Sequence, residues 1–131
     1  MPQFVPASLT GRDGVKHAYK PRDITGGVAT LVESTGVPLG DRRISMSTSR
    51  TAGGKVKITV KFAMPVVEDV SVNGIVRKTV TRTNYAELSF NWDGASTAND
   101  RDDLMVQVWS FLNSGENPMV IGMIRDLEGL Y

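Results

Sequence analysis

Residues 42–67 read RRISMSTSRTAGGKVKITVKFAMPVV, with six Lys or Arg and no Asp or Glu, in a chain whose net charge is only +1. The charge is therefore concentrated. The stretch also alternates: Arg43, Ser45, Ser47 and Ser49 point one way, and Ile44, Met46 and Thr48 the other. After Gly53-Gly54 the pattern resumes, with Lys55, Lys57, Thr59 and Lys61 on one side and Val56, Ile58, Val60, Phe62 and Met64 on the other. Period-2 alternation is the mark of a half-buried strand, and two such runs joined by a Gly-rich turn make a hairpin. One face is apolar; the other is a basic, hydroxyl-lined platform.

Such a platform suits an extended polyanion, because cations neutralise phosphates and hydroxyls bond to phosphate, sugar or base edges. Lysines on a solvent face also keep edge strands from aggregating, and pattern alone gives that reading equal standing. The absence of carboxylates tilts the balance, since a face built for solubility mixes signs.

Working outward, the first forty residues are rich in turn signals, with short strands expected near 3–10, 15–20 and 28–33. The strong strands follow at about 42–52 and 55–66. Residues 67–78, around Asn73-Gly74, read as an exposed connection. A further strand or strand pair spans about 76–92, with Tyr85, Glu87, Ser89 and Asn91 on one face and Ala86, Leu88, Phe90 and Trp92 on the other. An aromatic among polar neighbours is either a cross-strand packing residue or a base-stacking one. The period then changes. Ser96 or Thr97 caps a helix with Asp100, Asp102 and Asp103 in its first turn and Leu104, Met105, Val108, Phe111 and Leu112 as its apolar stripe, ended by Asn113-Ser114-Gly115. A second helix opens at Asn117-Pro118.

With 131 residues, 40% hydrophobic and 22% charged, the chain is expected to form one domain, 1–131, without repeats or low-complexity tracts. No apolar run approaches the roughly eighteen residues of a membrane span. The start lacks the features of a signal peptide, which points to a protein made and used in a cytoplasm. Zero cysteines rule out disulfides and thiolate metal sites. From Glu87 onward there are eight acids against Arg101 and Arg125, so the basic middle and acidic end should occupy different surfaces.

Catalysis finds little support. His17 is the only histidine, so a metal site or a Ser-His triad lacks partners, and it reads as a surface strand residue. The acids at 100–103 fit a helix N-terminus better than a cation site. Gly26-Gly27 and Gly53-Gly54-Lys55 lack phosphate-loop spacing. No enzymatic role and no cofactor or metal is assigned. A sheet with one apolar face is poorly covered by two short terminal helices, and its edge strand would stay unpaired. A two-fold dimer that continues the sheet and exchanges helices solves both problems.

Gly27-Val28-Ala29, Glu33-Ser34-Thr35-Gly36-Val37-Pro38, the hairpin ending at Pro65, Arg82-Thr83-Asn84-Tyr85 and the terminal Leu127-Glu128-Gly129-Leu130-Tyr131 resemble, in order and spacing, the coat proteins of the single-stranded RNA bacteriophages, the levivirus group. The likeness runs from about residue 20 to the end. It implies an α+β fold: an N-terminal β-hairpin, a five-stranded antiparallel sheet and two C-terminal helices, in an intertwined dimer. It also implies a structural capsid protein whose homodimers build an icosahedral shell around genomic single-stranded RNA. The same dimer would bind an operator hairpin and repress translation of the replicase. The expected location is the virion, assembled in the bacterial host cytoplasm, with no membrane partner. The alternative is a dimeric RNA-binding regulatory module that forms no shell.

Carried over by position, the RNA-binding residues are Val28, Arg43, Ser45, Ser47, Ser49, Lys55, Lys57, Thr59, Lys61, Tyr85 and Glu87. The resemblance gives phosphates to Arg43, Lys55, Lys57 and Lys61, and bases to Ser47 and Thr59. Val28 and Ser45 would line adenine pockets, and Tyr85 would stack on a loop base. Ser49 and Glu87 depart from the residues many relatives carry there. The 67–78 segment corresponds to the one lining the shell's symmetry axes, which some relatives cross-link by disulfides. Lacking cysteine, this chain should form a less heat-resistant particle, and a particle melting temperature equal to or above theirs would contradict that.

Overall fold

The computed structural model describes residues 2–34, 36, 38–113 and 117–129. Its strands are β1 (Ala7–Thr10), β2 (Lys16–Thr25), β3 (Val28–Glu33), β4 (Arg42–Arg50), β5 (Val56–Val72) and β6 (Ile75–Trp92). They form one six-stranded sheet in sequence order, antiparallel through every registered pair from β1 to β5. The expected N-terminal hairpin is present, but as the first two strands of that sheet. The strand count is six because Ile75–Trp92 is one unbroken strand and not a pair.

The continuation of β5 past residue 66 is the main departure from expectation. Residues 67–78 are not a loop: β5 and β6 pass through them, and only Asn73 and Gly74 turn the chain. Both have positive φ, +53° and +79°, as the two-residue turn that matches strand twist requires. Val66, Val67, Val70, Val72, Ile75 and Val76 supply β propensity. Residues 68–79 are exposed throughout, so no buried face imposes a period of two. Arg82 reaches from β6 to Glu68 on β5 at 2.8 Å, an exposed pair worth about 0–1 kcal/mol. Pro65 also lies inside β5. The β4 register ends at Arg43↔Ala63, so the missing N–H of Pro65 falls beyond that ladder.

The core sits on one face of the sheet. Leu31, Ile44 and Phe62 stand side by side on β3, β4 and β5, as do Ala29, Met46 and Val60 in the next row. Tyr19, Leu31 and Ile44 form the buried cluster of this core among the described residues, with Phe4, Ala7, Met46, Val60 and Phe62 packed around them. Burial, then the neighbouring Glu33, raises the Tyr19 hydroxyl pKa. His17 is a strand residue but not simply a surface one. Its Nδ1 lies 2.8 Å from Glu33 Oε2 and its Nε2 3.4 Å from Asp13 Oδ1, while Glu33 also meets Arg42 at 3.4 Å.

The helical unit, residues 92–131, holds α1 (Ala98–Phe111) and α2 (Pro118–Asp126). Thr97 is the cap of α1. Its hydroxyl accepts from the Asp100 N–H at 3.2 Å, and the Asp100 carboxylate accepts from the Thr97 N–H at 3.0 Å. The Thr97 backbone N–H on the carboxylate, and after it the Thr97 side chain, lower the Asp100 pKa. A reciprocal capping box thus occupies an acid that the sequence leaves open as a cation ligand. Pro118 opens α2 as expected. The expected terminator Ser114-Gly115 and residues Thr35, Val37, Leu130 and Tyr131 of the family motifs lie outside the described residues.

Candidate nucleic-acid interface

The strand registers determine which of the singled-out residues share a face. Across β3, β4 and β5 the rows are Val28–Ser47–Thr59, Thr30–Ser45–Lys61 and Val32–Arg43–Ala63, followed by Ser49–Lys57. Val28, Arg43, Ser45, Ser47, Ser49, Lys57, Thr59 and Lys61 therefore lie together, on the side opposite Leu31, Ile44 and Phe62. One alternation builds the core and the platform at once.

The other carried-over residues stand outside those rows. Lys55 is in the turn before β5, where its carbonyl accepts from the Thr51 N–H at 2.9 Å and its N–H donates to Thr51 Oγ1 at 3.2 Å. Tyr85 and Glu87 lie on β6, the neighbour of β5 in the sheet. Tyr85 is 78% exposed, so the packing alternative for its ring finds no support in burial.

The concentrated charge of residues 42–67 is not all on one face. Arg42 and Arg50 have the opposite parity, and Arg42 pairs with Glu33. Arg43, Lys57 and Lys61 are the cations of that stretch on the platform face. Arg43 and Lys61 occupy neighbouring strands one row apart, about 8 Å between Cα positions at standard strand spacings. Their mutual repulsion in water is only about 0.5 kcal/mol. The fold tolerates the cluster, and a polyanion laid across it would relieve the strain.

Residues 2–131 match the family model for the levivirus coat protein. The chain belongs to that family. This levivirus coat protein is 38% identical over 115 residues to the capsid protein of Pseudomonas phage PRR1, a match covering 88% of this chain and 87% of that one. It is 29% identical over 126 residues to the capsid protein of Escherichia virus Qbeta, covering 92% and 91% respectively. The named relatives are structural capsid proteins. Its fold superposes on the capsid protein of bacteriophage GA with a TM-score of 0.82 at 19% identity, over 98% of both chains. The virus-like particle protein of Beihai levi-like virus 21 gives the same TM-score at 16% identity, over 99% of both.

Two residues of the coat protein's platform escaped the sequence reading. Thr30, in the row with Ser45 and Lys61, is buried within the sheet face. Asp23 on β2 is in register with Thr30 and so brings an acid to the margin of the platform, where Arg22 meets it at 3.3 Å. The alternation of Val28, Thr30 and Val32 in β3 carried the signal for Thr30. Nothing in the residues of β2 announces Asp23, because its facing depends on a register shift.

Proposed function

We propose that this coat protein assembles as homodimers into an icosahedral shell around single-stranded genomic RNA, and that the platform also binds an operator hairpin and so represses replicase translation. The observation carrying this reading is the shared face of Arg43, Ser45, Ser47, Ser49, Lys57, Thr59 and Lys61, with the core on the opposite side. Cations there take phosphates, which gives affinity; hydroxyls and the Val28 side chain take bases, which gives choice. The shell would lie in the virion, with this face turned inward.

Dimerisation has its own physical support. Neither helix contains a buried residue, and Trp109 on α1 is 70% exposed, as Leu104, Met105, Val106, Phe111 and Leu112 are in smaller measure. Covering these side chains with a second copy would release on the order of 5–10 kcal/mol before association entropy is subtracted. The last strand, β6, offers an edge along which a partner sheet can continue. The long exposed hairpin around Asn73-Gly74 favours the shell over a regulatory module, which would have no use for it.

Lys57→Ala and Lys61→Ala are expected to weaken binding to many RNAs alike, and each to flatten the log–log salt dependence of the affinity by about 0.7–1. RNA titrations at several salt concentrations measure this. A slope identical to the parent's would remove these lysines from the phosphate contacts.

A further inference from the structure

Strand β2 holds a β-bulge. Its register against β3 is Thr25↔Val28, Ile24↔Ala29 and Asp23↔Thr30, but then shifts by one residue, so that Pro21 meets Leu31 and Lys20 meets Val32. Arg22 is the extra residue. Without the shift, Pro21 would oppose Val32, and Lys20 would fall on the side of Tyr19's present neighbours in the core. Reversing side-chain direction is what a bulge does. Here it sends Tyr19 into the core and turns Lys20 to the opposite side, in one row with Val32, Arg43 and Ala63.

We infer that Lys20 is a further phosphate contact of this protein, extending the RNA platform across β3 onto β2; the inference rests on the RNA-binding reading above and goes beyond the residues it names. Lys20 is exposed and makes no ion pair among the described residues. Arg22, its basic neighbour, is already engaged by Asp23. Lys20 stands two strands from Arg43, about 10 Å between Cα positions, and Arg43 stands one strand and one row from Lys61. The three cations thus form a track running across the strands, while Lys61 and Lys57 form one running along them. A recess of about 370 Å3 lies beside Lys20, bordered also by Pro21, Arg22, Val32, Glu33 and Ser34. By register Glu33 has the parity of Leu31, opposite the row of Lys20 and Val32, and its carboxylate is held by His17 and Arg42.

The test is a salt series of binding titrations with unstructured oligouridylate on the parent chain and on Lys20→Ala, Lys20→Arg and Lys61→Ala. Lys20→Ala is expected to flatten the log–log slope by about 0.7–1, as Lys61→Ala does, and Lys20→Arg to keep the parent slope. If Lys61→Ala flattens the slope and Lys20→Ala leaves it unchanged, the inference is overturned while the RNA-binding reading stands. If the parent chain itself shows no salt-dependent binding, that reading fails and takes the inference with it.

Discussion

Ile44→Ala is expected to destabilise the subunit by about 2–5 kcal/mol, a large share of the roughly 5–15 kcal/mol that holds a typical domain folded. Ile44 is 5% exposed and stands between Leu31 and Phe62 in the central row of the core face. Within the core cluster the other buried members are Tyr19 and Leu31, and the side chains packed around them are only partly buried, so little else can close over the cavity. Ile44→Val keeps most of the volume and should cost about 0.5–1.5 kcal/mol. Denaturant midpoints of the two variants and the parent measure both values. An alanine variant that unfolds with the parent would mean that Ile44 lies outside the core, and the facing of the whole platform would fall with it.

Tyr85→Ala is expected to weaken binding to a hairpin RNA with unpaired adenines by about 1–3 kcal/mol, or roughly 5- to 150-fold in Kd. The ring is exposed on β6 and buries little in the isolated chain, so its removal should leave stability within about 0.5 kcal/mol of the parent. Tyr85→Phe retains the π-face and should keep most of the affinity. Loss of affinity at unchanged stability is the signature of stacking. Full affinity in Tyr85→Ala would instead assign the ring to protein packing in the assembly.

The parts of the fold legible in the sequence were those where one face is buried and the other wet. In β4 and the first half of β5 the alternation is strict, and the registers pair Ser45 with Lys61 and Ser47 with Thr59 as two facing runs should. The helices were legible through their caps, Thr97 with Asp100 and Pro118 after Asn117. Where both faces meet solvent the signal vanished: Glu68, Asp69, Arg77 and Lys78 interrupt the apolar pattern, and paired strands read as a loop. The bulge at Arg22 was invisible for another reason. A one-residue shift inverts the facing of Tyr19 and Lys20 without leaving a compositional mark, so the extent of the platform on β2 emerges only from the register. The charge of residues 42–67 was read correctly as a concentration, but the pairing of Arg42 with Glu33 required the fold.

The most direct test of the coat reading is to express the chain in bacteria and measure, on one purified fraction, particle size by electron microscopy and the A260/A280 ratio. Uniform shells of virus size with a nucleic-acid-rich ratio are expected. Free dimers that carry RNA would contradict shell assembly and favour the regulatory module, and free dimers without RNA would contradict the platform itself.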